Sequence, residues 1–286
     1  MSGEIWALLS AAAWAVDSIL VRKGTAFSNA STAAFVSFLV SVLFLVPFVF
    51  IQFPSEKIFH SANLYFVASG VIQPAMVRVL FYMGIVRLGV SRAGPVRGTA
   101  PLFTLALAFF VLHERPGLWV YSGAFLTVVG TWLVSYRREG EAKWRTLDLL
   151  FPLGAALLAS VSQNIRKLGL LGIDEPLIAS TVSSMTSFLC LVISLTVSGK
   201  LATLKFRGGC LPYYGAAALF ALVGQLFTFH ALFAGEVSVV SPIINTTPLF
   251  IILFTAIFLR GEEKVNTLVV LGSILLVAGI AVITGR

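Results

Sequence analysis

Apolar residues in this chain come in long unbroken windows, with no alternation and no narrow one-face stripe. Delimited by charge, Gly and Pro, the windows predict spans over residues 3–21, 31–52, 63–86, 91–112 and 118–136, then 147–165, 176–198, 211–234, 237–259 and 265–284. Each is near the ~20 residues that cross a bilayer core as a helix. Lipid cannot satisfy free backbone groups, so such runs must be continuous helices, and a barrel would need the alternation these runs lack. The pattern therefore predicts an all-α membrane protein of ten transmembrane helices. The longest polar break, Arg137–Arg145, divides the chain into five-span halves: residues 1–136, a connecting loop over 137–146, and residues 147–286.

The halves resemble each other. Residues 90–103 read Val-Ser-Arg-Ala-Gly-Pro-Val-Arg-Gly-Thr-Ala-Pro-Leu-Phe, and residues 237–250 read Val-Ser-Val-Val-Ser-Pro-Ile-Ile-Asn-Thr-Thr-Pro-Leu-Phe. Val, Ser, Pro, Thr, Pro, Leu and Phe fall in register at a constant offset of 147. Further on, Glu114 matches Glu262, and Gly123 and Gly130 match Gly272 and Gly279. Arg22-Lys23 and Arg166-Lys167 close the first span of each half. An odd number of spans per half makes the second copy enter the membrane upside down, the inverted-repeat plan that recurs among secondary transporters.

Composition narrows the function class. The chain is 58% hydrophobic and 11% charged over 286 residues, with a net charge of +8. A soluble enzyme is excluded, because a soluble domain carries about 25% charged residues. Nucleic-acid binding is not expected, since no basic run sits on a foldable segment outside the spans. Cys190 and Cys210 offer neither a disulfide framework nor a metal spacing, and no cofactor is expected. The first span has neither the basic lead-in nor the cleavage pattern of a signal peptide, so it is expected to be retained. No phosphate-binding Gly-x4-Gly-Lys-Ser/Thr loop is present, so a gradient or exchange must supply energy.

Several features together resemble the EamA-type proteins of the drug/metabolite transporter superfamily. They are the Trp14-Ala-Val-Asp17 stretch, the doubled Pro-x5-Pro of the fourth and ninth spans, and the loop acids in His113-Glu114-Arg115-Pro116 and Gly261-Glu262-Glu263. The Gly-rich last spans of each half belong to the same likeness, which covers the whole chain. The resemblance implies ten helices in two inverted five-helix repeats and transport of a small solute. It implies little about which solute, since relatives carry amino acids, sugar phosphates, nucleotide sugars or drugs. One position departs: where members often carry Gly-x-Asn, this chain has Ala15-Val16-Asp17, an acid in place of an amide.

A transporter site is expected near the midplane, where matched helices are broken. Gly94, Pro95 and Pro101 in one half and Pro242 and Pro248 in the other are the expected helix breaks, since each proline removes a backbone donor. Thr99, Asn245 and Thr246 between them would line the cavity or serve close packing. Asp17, Arg78 and Arg97 are ionisable residues well inside spans, where a charge costs about 2.5–3.5 kcal/mol and normally marks a pathway. Two arginines against one aspartate suggest an anionic group on the solute; the alternative is a structural Asp–Arg pair. Trp14, Gln73, Asn164 and Gln225 complete the candidate substrate-binding set, with His230 a weaker one. No metal site is expected.

The reading is a secondary transporter of the cell membrane, multi-pass, moving a small metabolite by alternating access, with an anionic or zwitterionic solute in a central cavity. The alternatives are a proton-coupled exporter of cationic or neutral amphipathic compounds through Asp17, and a channel or scramblase. An intramembrane enzyme would need paired carboxylates, a His cluster or a Ser/His dyad, and none is evident. The expected partners are the solute and the lipid bilayer, with a homodimer left open. Loop charge divides thirteen Lys/Arg against five, which places both termini outside; the resemblance suggests both inside.

Overall fold

The computed structural model describes the chain apart from residues 89–92, 94–95, 136–144, 207, 259–266 and 286. Among the described residues the structure is helical with no strand. The first half comprises α1 (Gly3–Gly24), α2 (Ala30–Gln52), the short α3 (Ser55–Ile58), α4 (Asn63–Gly70), a π-type turn (Val71–Met76), α5 (Val77–Leu88), α6 (Ala100–Val111) and α7 (Leu118–Ser135). The second half comprises a 3₁₀ turn (Thr146–Leu149), α8 (Leu150–Gly172), α9 (Pro176–Val197), α10 (Leu211–Ala234), α11 (Val237–Ile244), α12 (Thr247–Phe258) and α13 (Thr267–Thr284). Among the described residues, seven helical stretches are long and apolar enough to cross a membrane. Phe44, Phe48, Phe50 and Ile51 of α2 point outward, as expected of a helix bathed in hydrocarbon rather than water.

The helical run breaks where the sequence removes donors. The fourth and ninth spans turn at Gly98-Thr99 and at Asn245-Thr246. Thr99 Oγ1 donates to the Val96 carbonyl at 2.7 Å, and Thr246 Oγ1 donates to the Ile243 carbonyl at 2.7 Å. After each turn the chain resumes with a proline in the first helical turn, Pro101 in α6 and Pro248 in α12, where a missing donor costs nothing. Gly94 and Pro95 lie outside the described residues. A further break falls at Gln73, whose backbone is extended (φ −126°, ψ 119°). Pro74 follows it, and the residue before proline is pushed out of the helical region.

Small residues let the helices approach. α7 and α13 cross where Gly123 faces Gly279 and Gly130 faces Gly272; a Cβ on any of the four would meet the opposing carbonyl oxygen at 2.7–2.8 Å. Serines act as glue elsewhere. Ser10 Oγ donates to the Gly224 carbonyl at 2.9 Å, joining α1 to α10, and Ser187 Oγ donates to the Gly70 carbonyl at 3.2 Å, joining α9 to α4.

One predicted boundary needs correction. The sixth span was expected to stop at residue 165, with Arg166 and Lys167 in the following loop. Instead α8 continues to Gly172, because apolar Leu168, Leu170 and Leu171 extend the helix past the two charges. Both basic residues therefore lie inside the helical bundle.

Candidate functional site

A cavity of about 440 Å³ lies between α1, α2, α8, α9 and α10 and the break at Gln73. Its two longest walls are single helical faces. α1 presents Trp14, Asp17, Ser18 and Val21, and α2 presents Ala30, Ala33, Ala34, Ser37, Phe38 and Ser41, both spaced three and four apart. From Ala30 to Ser41 the α2 wall runs about 16 Å at 1.5 Å per residue. These residues occupy the second half of α1 and the first half of α2, so the cavity extends inward from the side of the α1–α2 turn.

The opposite side is apolar and packed. Its core gathers Ala7 from the start of α1, Val49 from the end of α2, Leu170 from the end of α8, Phe229 and Leu232 from α10, and Val240 from α11. Two polar clasps lie over this plug. The Glu114 carboxylate accepts the backbone N–H groups of Val237 and Ser238, both at 2.9 Å, and so caps the N-terminus of α11 with negative charge. His113 just before it has a left-handed backbone (φ 56°). Lys167 Nζ donates to the carbonyls of Leu232 (2.7 Å) and Gly235 (2.8 Å), satisfying the C-terminal end of α10.

Of the residues expected to bind solute, Trp14, Asp17, Gln73 and Gln225 line the cavity. Trp14 is held by its indole N–H, which donates to Thr228 Oγ1 at 3.3 Å. Gln225 Nε2 donates to Ser184 Oγ at 2.9 Å. Gln73 Oε1 is buried without a hydrogen-bond partner. Its wall position follows from the proline after it, which takes the residue out of helical geometry.

The other candidates lie elsewhere. Asn164 is buried toward α6, its Nδ2 donating to the carbonyls of Ser160 (3.0 Å) and Thr104 (3.4 Å). Thr99 and Thr246 spend their hydroxyls on the turns already described, and Asn245 Nδ2 donates to the Ser241 carbonyl at 2.8 Å. Arg97 is half-buried and is not among the lining residues. The side chain of Arg78 lies outside the described residues. His230 Nδ1 contacts the Leu226 carbonyl of its own helix at 2.9 Å and packs on Trp6.

Sequence reasoning missed Arg166. It lines the cavity although it is only 8% exposed. Its guanidinium lies over the Phe229 ring at 5.2 Å, where the cavity meets the packed core. The apolar run that follows it, Leu168 to Ile173, was the signal that the helix continues. Among the described residues no group of His, Cys, Asp and Glu could hold a metal ion.

The chain is similar to known proteins. The model of the EamA-like transporter family matches residues 1–136 and 146–285. An "uncharacterized transporter" of Archaeoglobus fulgidus is 27% identical over 278 residues, covering 96% of this chain and 95% of the relative. A second protein of that description from the same organism is 23% identical over 142 residues, 48% of each chain. One solved crystal structure superposes with a TM-score of 0.79 at 13% identity, covering 99% of this chain and 96% of its own, a likeness of fold.

Proposed function

Because the chain belongs to the EamA-like transporter family and is an integral membrane transporter, we propose that the cavity is the solute site of a secondary transporter working by alternating access in the cell membrane. The observation that carries this reading is its one-sidedness. The cavity enters from the side of the α1–α2 turn and ends at the plug beneath the Glu114 and Lys167 clasps. A continuous pore would have no such floor. The solute is a small metabolite, anionic or zwitterionic, touched by Trp14, Asp17, Gln73 and Gln225.

The mechanism rests on two inverted five-helix repeats, residues 1–136 and 147–286, forming ten transmembrane helices. Matched contacts support this. The Thr99–Val96 bond and the Thr246–Ile243 bond recur at an offset of 147, as do the backbone bonds Leu102 to Thr99 and Leu249 to Thr246. The α7–α13 crossing is equally symmetric: Gly123 faces Gly279, the counterpart of Gly130, and Gly130 faces Gly272, the counterpart of Gly123. Rocking one repeat against the other would open the plugged side and close the α1–α2 side.

The test is uptake into proteoliposomes across a panel of labelled small metabolites. Wild type should show saturable, competable uptake of at least one, and Ala221→Phe, which fills the cavity from α10, should lose it. Uptake that persists in the filled variant would remove the cavity from the mechanism. Asp17 on the same wall favours a second reading, proton coupling, in which Asp17→Asn would retain exchange but lose accumulation driven by a pH gradient.

A further inference from the structure

The geometry points to Arg166 as the group that binds an oxyanion of the solute, a carboxylate or a phosphate, at the floor of the cavity. This rests on the reading of the cavity as the solute site and names the chemistry it selects.

Arg166 is 92% buried, and its Nε has no hydrogen-bond partner. The ion pairs among the described residues, Lys57–Glu175 and Arg87–Asp148, do not include it, and no carbonyl or hydroxyl oxygen among the described residues accepts from its guanidinium. Asp17 lines the same cavity, yet no salt bridge within 4 Å joins the two. A permanently charged group with five N–H donors is thus held in a cavity wall with those donors uncommitted. Buried charge normally keeps a partner, because leaving it unpaired is expensive.

Phe229 explains how the group is held without one. Its buried ring is braced edge-on by Phe66 at 6.0 Å, and the guanidinium carbon lies over that ring at 5.2 Å. This contact with the ring engages no N–H donor and leaves the fork for a ligand. A planar fork so presented matches two oxygens of a carboxylate or phosphate. The neighbouring charge makes the contrast. Lys167, one residue on, is committed to two backbone carbonyls and has no such freedom.

The experiment measures thermal stabilisation of the purified protein by acetate, lactate, succinate and benzoate, by the primary amide of each, and by inorganic phosphate, at constant ionic strength. Wild type should be stabilised by at least one of these anions and not by the amides. Arg166→Gln should weaken that half-saturation by at least about tenfold, and Arg166→Lys, which keeps the charge and loses the fork, by an intermediate factor. Without ligand, both variants should melt no lower than wild type, since no protein acceptor loses a bond. Equal stabilisation by acids and amides overturns the assignment, as does an undiminished anion effect in Arg166→Gln or the absence of any anion effect in wild type. The cavity reading fails separately: anion stabilisation that depends on Arg166 but survives in Ala221→Phe would leave an oxyanion site outside the transport path.

Discussion

Adjacent residues in α8 do opposite work. Lys167 Nζ makes two charge-assisted bonds to the end of α10, whereas the Arg166 guanidinium bonds to no oxygen among the described residues. Removing Lys167 strands two carbonyls, each hydrogen bond to a charged group being worth about 1.5–3 kcal/mol. Lys167→Met should therefore lower the melting temperature in detergent by several degrees, while Arg166→Met should not, and a thermal scan of the pair separates them. An equal loss in both would mean that Arg166 is a structural residue. The sequence assigned both to a loop because a hydropathy window closes at the first charge. Side-chain commitment is a tertiary property: nothing local to Arg166-Lys167 says that α10 ends beside one and that Phe229 lies under the other. Asp17, Trp14, Gln73 and Gln225 were legible as cavity-wall residues, because a polar or amphipathic residue well inside a span has few destinations other than a cavity. The same argument failed for Asn164, which found two backbone carbonyls in the crowded contact with α6.

At the level of elements, apolar length and proline spacing carried most of the information. The breaks at Gly98-Thr99 and Asn245-Thr246 fall inside the two Pro-x5-Pro segments, where the missing donors put them. The break at Gln73 was signalled by Pro74 but is not repeated in the other half's matching segment, so the repeat gave no support for it. The α7–α13 crossing permits a sharp test. Gly123 and Gly130 are seven apart, as are Gly272 and Gly279, and each antiparallel pair brings backbone to backbone. Gly130→Ala places a methyl 2.8 Å from the Gly272 carbonyl, so the helices must separate; Gly117→Ala meets nothing within 4 Å. Although alanine is the better helix former, Gly130→Ala should lower the melting temperature by several degrees and Gly117→Ala should leave it within about a degree. A neutral Gly130→Ala would show that the two helices are free to move apart.

For the molecule as a whole, charge, cavity and clasps bear on one question: which side opens where. Moving Arg166 and Lys167 out of the loops changes the count from thirteen against five to thirteen against three, and the richer side is that of the α1–α2 turn. Positive charge accumulates in the cytoplasm, so the cavity should face inward and the termini outward. Single cysteines in a Cys190→Ser, Cys210→Ser background test this with a membrane-impermeant maleimide. In intact cells Phe59→Cys, at a residue 76% exposed beyond α2, should label, whereas Phe27→Cys and the cavity position Ser37→Cys should label only after permeabilisation. The reverse pattern would invert the orientation and leave the cavity where it is. The clasps supply the last step. Ile243 is fully buried in the plug under Glu114, so Ile243→Cys should be silent from either side while the cap on α11 holds. Glu114→Gln replaces a charge-assisted cap on two N–H groups by a single neutral acceptor, which weakens only the state with this side closed. External labelling at Ile243→Cys should then rise several-fold and labelling at Ser37→Cys fall, because in a rocking pair of repeats one side opens as the other closes. A rise at Ile243→Cys with no fall at Ser37→Cys would describe local fraying of α11 rather than alternating access.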